Sequence, residues 1–375
     1  MTVRRNQIAG LAGLAALAAL TGVAAWRAGE AKWGVWRSEP AAVMGTNTKL
    51  TVVARAGSDV APQALAAAEA ALRRAEVLMS WRLDGSEVSA VNAASPGEFV
   101  ELSPETLEVL KLSKRIWRES GGAFDVTCFP IIALWAKAGR VEPPEARRVP
   151  GPEALAAARE ASSWKHFAFQ QAGVTKSVAT ARIDLGGIAK GYAIDRALEA
   201  IRAAGAAGGL VDVGGDIRCF GRPAQGGRWT IDIRDPFGSD KPLTTLSLSA
   251  AAVCTSGHYA RHSEIEGRRY SHIVDPRPDG RQPPYSPLRA ETAPASVTVI
   301  APTAATADAW ATALAVLGPG GLHRAPTDRG VEALLVVGSP ESPRMHMTPG
   351  FAAYAAVPKS LEPAPLASPQ RREGQ

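Results

Sequence analysis

Three glycine pairs do most to limit what this chain can fold into. Gly121-Gly122, Gly186-Gly187 and Gly214-Gly215 each mark the start or the stop of a regular element. Before the first pair, SPETLEVLKLSKRIWRES reads as a helix. Ser103 is its N-cap, Pro104 takes the first helical position, Glu105 lies in the first turn, and Val109, Leu112 and Ile116 recur at helical spacing. From Ala181 the pattern is strand, glycine turn, helix: after the second pair, Ile194, Leu198 and Ile201 form one apolar stripe that stops at Gly205. The third pair closes the short strand of GLVDVGGDI. KLTVVA (49–54), WTIDIRD, LTTLSLS and ASVTVIA (295–301) read as further strands. An alanine-rich helix ends near Trp81, and ATADAWATALAVL forms a last one that stops at Gly318. Strands and helices follow each other irregularly, which predicts α+β rather than a regular βαβ array.

The chain has 375 residues, 46% of them hydrophobic, enough for one large core or two modest domains. Its 42 basic and 36 acidic residues leave a net charge of +6, scattered along the chain. No basic stripe of the kind that tracks nucleic acid is present, so no nucleic-acid partner is expected. Cys128, Cys219 and Cys254 are far apart, are odd in number and lack metal-ligand spacing; they read as buried small side chains.

The first 26 residues, MTVRRNQIAGLAGLAALAALTGVAAW, join an Arg4-Arg5 head to an apolar run and small residues. Residues 1–25 therefore read as an export signal of the twin-arginine type, with the rest of the chain periplasmic. The alternative is an uncleaved anchor in the inner membrane, because 8–26 is just long enough to span a bilayer. Beyond such an anchor no membrane contact is expected. A linker at 26–40, a functional domain at 41–358 and a disordered tail at 359–375 complete the layout. Within the domain, KAGRVEPPEARRVPGPE is too rich in proline and charge to pack and reads as a surface excursion.

Three segments carry chemistry. In DLGGIAKGYAID, Gly186-Gly187 stand just before a helix N-terminus, where free N–H groups favour a phosphate, and Lys190 adds a positive charge in the first turn. A tight turn with a solvated lysine explains the same residues. The segment is not a P-loop, since the first glycine is too close and no Ser or Thr follows the lysine. In ADAWAT, Asp308 and Thr312 share one helix face, opposite Trp310, Leu314 and Leu317; they are hard oxygen ligands suited to Mg²⁺, or else an ordinary solvated face. Finally, TSGHYARH and YSHIVDP bring His258, His262 and His272 close in sequence. Thr255-Ser256-Gly257 reads as a turn after a strand, and His272 stands at a strand's edge. A zinc site is disfavoured, because the i, i+4 histidines fall in a glycine-led turn without helix formers.

Taken together, MGT (44–46), SWRLDGSEVSAVN, SGGAFDVT, DLGGIAKGYAID, VDVGGDI, TSGHY, SHIVDP and SVTVIAPTAATADAWATALAVLG resemble the ApbE family, the FAD:protein FMN transferases, in that family's order. The resemblance implies mixed, largely antiparallel sheets with flanking helices, in a single compact catalytic domain divisible into two subdomains. It implies a Mg²⁺-dependent enzyme that moves FMN from FAD onto a Thr or Ser hydroxyl of an acceptor flavoprotein, with AMP leaving. Asp184 and Lys190 would contact FAD, as would Met44, Trp81, Ala123, Phe124, Asp125 and Val274. Trp81 stands where some relatives carry tyrosine. Gly187 and Ala311 would offer carbonyls to the metal beside Asp308 and Thr312. His272 matches the histidine proposed as catalytic base; His258 and the cysteines receive no role. Two other readings compete: an FAD pyrophosphatase giving FMN and AMP, and a periplasmic flavin-binding protein without catalysis. The expected acceptor is a subunit of a respiratory redox complex or a maturation protein for nitrous-oxide reductase.

Overall fold

The computed structural model describes residues 33–257, 262–278, 285–289 and 292–355. The expected export signal, the expected tail and His258 lie outside the described residues. Sixteen strands and seven α-helices occur among those described. The first half of the chain runs β1 (Trp33–Ser38), β2 (Thr48–Arg55), α1 (Val60–Met79), α2 (Glu87–Ala93), β3 (Phe99–Glu101), α3 (Pro104–Glu119), α4 (Phe129–Ala138) and α5 (Pro152–Ala161). It continues through β4 (Phe167–Gln170), β5 (Gly173–Lys176), α6 (Ala189–Ala203), β6 (Gly208–Val213) and β7 (Asp216–Gly221). The second half is mostly strand: β8 (Trp229–Ile233), β9 (Thr244–Leu248), β10 (Ala251–Gly257), β11 (His262–Ile265), β12 (Arg268–Val274) and β13 (Pro287–Arg289). It closes with β14 (Ser296–Ala301), α7 (Ala304–Leu317), β15 (Glu332–Ser339) and β16 (Ser342–Met347).

Eight strands form one sheet in the order β1-β2-β6-β7-β10-β14-β15-β16, with each neighbouring pair antiparallel. Both faces are covered, and the period of two sorts the side chains between them. Leu50, Val52, Cys254, Val297, Val299 and Leu335 point toward helices α1, α6 and α7 in the larger core. Their neighbours Val53, Val253, Ile300, Leu334 and Val336 point the other way, against Trp229, Ile231, Leu246 and Leu248 of the β8–β9 hairpin. That two-sided burial is why β14 reads SVTVIA, with all six residues buried. A third cluster packs Cys128, Ile131 and Trp135 of α4 and its lead-in against Tyr270 and Val274 of the small β11-β12-β13 sheet. The architecture is the expected α+β arrangement of antiparallel sheets and helices.

Local signals hold where they rest on side-chain chemistry. Ser103 accepts the Thr106 amide at 3.2 Å and starts α3. The α6 stripe is buried through Ile194, Leu198 and Ile201, and the stretch around 141–150 lies on the surface. Four expectations need correction. Residues 33–38, expected to be linker, pair with β2 as an edge strand, because Trp36 packs on the larger core. The stretch 181–185 forms no strand; its backbone is held instead by the Asn92 side chain, which both donates to and accepts from Ile183 (2.9 and 2.8 Å). Thr255-Ser256-Gly257 belong to β10 rather than to a turn, paired with β14. Helix α7 has no solvated face at Asp308, which is only 5% exposed, because α6, β10 and β14 all pack on it.

Candidate active site

The site is assembled where α6 begins. Helix α6 approaches the start of α7 so closely that a Cβ at Gly191 would lie 2.2 Å from the Ala304 carbonyl oxygen. Only glycine permits that approach. The contact is fixed from both sides: Asp195, from α6, accepts the Ala304 and Ala305 amides at 2.7 and 3.0 Å, capping α7. In return, Asp308 of α7 accepts the Gly191 amide at 3.1 Å through Oδ2. Two motifs more than a hundred residues apart are thereby locked together, with Lys190 beside the Asp308 carboxylate.

The rest of this cluster follows. A Cβ on Gly187 would lie 3.4 Å from the Thr312 hydroxyl oxygen and 3.2 Å from the Phe124 ring, so Gly187, Thr312 and Phe124 line one spot. Ser256 brings its hydroxyl to 3.5 Å from that of Thr312. Lys190 pairs with Asp216, the first residue of β7, which also accepts the Thr255 amide at 3.0 Å. Burial pushes the Asp308 carboxyl upward, opposed by the charge of Lys190 and by the Gly191 amide.

The expected row of free N–H groups is partly spent. Asp184 takes the Gly186 amide at 2.8 Å, and Asp308 takes that of Gly191. The anion-binding power of this helix start thus rests on Lys190 and on what these carboxylates leave over. Asp184 is itself partly buried, and burial raises its pKa against the pull of Gly186, Arg82 and a hydrogen bond from the Trp81 side chain. Trp81 stacks obliquely on Phe129, centroids 4.7 Å apart, and carries the Arg82 guanidinium on its ring.

A second wall comes from Ala123, Phe124 and Asp125. Phe124 donates its amide to Ser120, and Asp125 accepts the Thr127 amide and hydroxyl at 2.8 and 2.7 Å. Burial pushes the Asp125 carboxyl up to about 6, opposed by Thr127 and Trp117. The Asp184 amide donates to the Val126 carbonyl at 2.9 Å, tying this wall to the glycine turn. Met44 sits in a tight turn at φ 51°, its amide held by Glu76 at 2.7 Å. Thr46 of that turn fills the space at Gly214, one turn from Asp216.

Two predicted residues stand apart: Val274 packs into the α4 cluster, and His272 is an exposed residue of β12. Ala311, whose expected part is a carbonyl, is buried in α7 directly before Thr312. Strand β12 still leads toward the site: Asp275 binds Arg277 through two bonds of 2.9 Å, and the Arg277 stem lies 3.8 Å from a Cβ built on Gly122. Sequence reasoning missed Asp216, although VDVGGDI shows an aspartate directly after a glycine pair. It also missed Asn92 and Lys176. Lys176 is buried and donates to the Asn92, Ala179 and Ala181 carbonyls at 2.8, 3.2 and 3.3 Å, bracing the segment before Asp184.

Among the described residues no three His, Cys, Asp or Glu side chains gather in metal-binding reach. The donors near Thr312 are of another kind: the Ser256 hydroxyl lies 3.5 Å away, and Asp308 precedes Thr312 by one helical turn in α7. Magnesium accepts such a set. Buried Asp308, satisfied by one amide, fits it too.

Residues 44–335 match the model of the ApbE family. An FAD:protein FMN transferase of Klebsiella pneumoniae is 30% identical over 76% of this chain and 79% of its own length. The solved flavin transferase ApbE of Vibrio cholerae superposes with a TM-score of 0.74 at 26% identity, covering 86% of this chain and all of the other. The ApbE protein of Thermotoga maritima gives 0.73 at 29% identity over 86% of this chain and 99% of its own.

Proposed function

The chain belongs to the ApbE family, and we propose that it transfers FMN from FAD to a hydroxyl of an acceptor protein, with AMP as the leaving group. The observation that carries this reading is the Gly191–Asp308 bond, which puts a lysine and an oxygen donor set at one point beside the glycine turn. A pyrophosphate resists nucleophiles because its negative oxygens repel them. Lys190 would lie along it and reduce that charge. Asp308, Thr312 and the carbonyls of Gly187 and Ala311 would hold Mg²⁺, which supplies further charge neutralisation on the phosphate oxygens.

In the transfer, the acceptor Thr or Ser oxygen forms a bond to the FMN phosphorus and the anhydride bond to AMP breaks. His272 would take the hydroxyl proton, a role suited to an imidazole near neutrality. Its exposed place on β12 suits a base that must meet a side chain brought by another protein. Trp81 offers a ring face for stacking, and Met44, Phe124 and Val274 would add apolar contact. Asp184 and Asp125 would bind polar groups of the ligand. The N-terminal segment supports a periplasmic setting and an acceptor among exported redox subunits.

Incubation of purified protein with FAD, Mg²⁺ and a candidate acceptor tests the proposal directly. Covalent flavin fluorescence on the acceptor, with AMP in equal amount, is the expected result. FMN and AMP without labelled acceptor would instead assign hydrolysis, and unchanged FAD would overturn catalysis.

A further inference from the structure

Lys190 has two carboxylates to choose between. Asp216 is 3% exposed and Asp308 5%, and both lie next to the first turn of α6. The ammonium goes to Asp216. Asp308 keeps the Gly191 amide, donated by the residue immediately after Lys190. A flexible four-carbon stem rooted there could turn to either partner. Whichever carboxylate it neutralises is closed to a metal cation, since a divalent ion would first have to displace it.

Asp216 is itself held in place. Its other oxygen accepts the Thr255 amide at 3.0 Å, and the next residue, Ser256, brings its hydroxyl to 3.5 Å from Thr312. The carboxylate therefore joins β7, the end of β10 and α6 at the edge of the oxygen donor set.

We propose that Asp216 is a positioning residue that holds the Lys190 ammonium away from Asp308, keeping the Asp308 carboxylate open for a divalent cation. This rests on the metal-assisted transfer reading above and adds a residue to it. Burial already makes a lone charge on Asp308 costly, so without Asp216 the nearest cation, Lys190, would pair with it instead. Asp216 thereby turns two adjacent carboxylates into one lysine anchor and one metal ligand.

The test is Mn²⁺ uptake by the full chain without FAD, read from loss of the free-ion EPR signal. Asp216→Asn should weaken Mn²⁺ binding at least tenfold. Lys190→Met added to that variant should bring affinity back to within about threefold of wild type, because the competing ammonium is gone. Asp216→Glu, which keeps the anchor, should bind as wild type does. Thermal melts confirm folding, and where Asp216→Asn does not fold, Asp216→Ser carries the same expectations. Equal Mn²⁺ affinity in the single variant and wild type overturns the inference alone, as does a double variant no tighter than the single. Absence of uptake by the wild type overturns the metal site itself, and this inference with it.

Discussion

Asp308 must serve two ends that pull against each other. It is buried, and it holds the Gly191 amide that locks α6 to α7. The sequence alone places it on the helix face opposite the apolar stripe, where it would meet solvent or a metal. The structure overturns the solvated alternative. Asp308→Ala should lose FMN transfer and also about 1–3 kcal/mol of stability, since the Gly191 N–H is left without an acceptor. Asp308→Asn keeps an oxygen for that amide, so it should melt near the wild-type temperature while transferring little or no FMN. Calorimetry and the transfer assay on the pair separate the two duties, and equal melting of Asp308→Ala and wild type would dispose of the structural one. For His272, which lies outside any buried cluster, His272→Ala should slow transfer by roughly a hundredfold or more with little change in FAD affinity or melting temperature. Weakened FAD binding that accounts for the whole loss would remove it as the base. Asp125 allows a pH test. Its pKa rises from 3.8 to about 6 on folding. The raised value favours the folded state below the unfolded pKa, and that contribution is lost as pH climbs through about 6. Between pH 4 and pH 7 the wild type should therefore lose roughly 1–3 kcal/mol relative to Asp125→Asn, measured by urea unfolding of both proteins. Parallel slopes would show that Asp125 does not titrate in this range.

Helix α6 shows what a sequence reveals at the scale of one element and what it withholds. Its stripe, its stop at Gly205 and the glycine turn before it were all legible, because each depends on residues close in sequence. Its partners were not. In sequence Gly191 is one glycine of DLGGIAKGYAID with no assigned part, yet the structure sets it against the Ala304 carbonyl at the start of α7. The burial of α7 on every side was equally hidden, since ATADAWATALAVL is mostly alanine and shows little contrast between faces. Asp216 went without a role because its significance lies in a lysine on another element. The site residues that resemblance supplied, such as Gly187 and Thr312, do converge, whereas Ala311 is placed only by its helix. Gly191→Ala should therefore act as an element-level lesion. Its methyl group has no space against backbone, so α6 must move from α7 at a cost of about 1–3 kcal/mol or more. Transfer should fall as the Gly191–Asp308 bond is lost and Asp308 and Thr312 shift away from the glycine turn. The measurement is a melt together with Mn²⁺ affinity, and a variant normal in both would show that the helix contact is looser than drawn.

At the scale of the whole molecule, the cysteines and the proposed export signal bear on one another. Cys128, Cys219 and Cys254 are free and buried, and burial pushes all three thiols up in pKa. In the folded protein they are therefore poor nucleophiles and poorly reached by oxidants. The unfolded chain has no such protection, and an exported chain enters a compartment where disulfides form. An odd set of three thiols would then have mispairing or intermolecular pairing open to it. The twin-arginine route proposed for residues 1–25 avoids this, since it carries a chain that has already folded with its thiols inside. Three results are expected. Replacing Arg4 and Arg5 together with lysine should leave the protein in the cytoplasm, and normal export of that variant would remove the route. Exchanging the leader for one that threads unfolded chains should give lower yields and disulfide-linked species on non-reducing gels. Cys128→Ala, Cys219→Ala and Cys254→Ala combined should restore a single monomeric band, provided the triple variant folds when made in the cytoplasm. A threaded wild-type chain that reaches full yield with three free thiols would show that folding outruns oxidation, and that the buried cysteines place no demand on how the protein is exported.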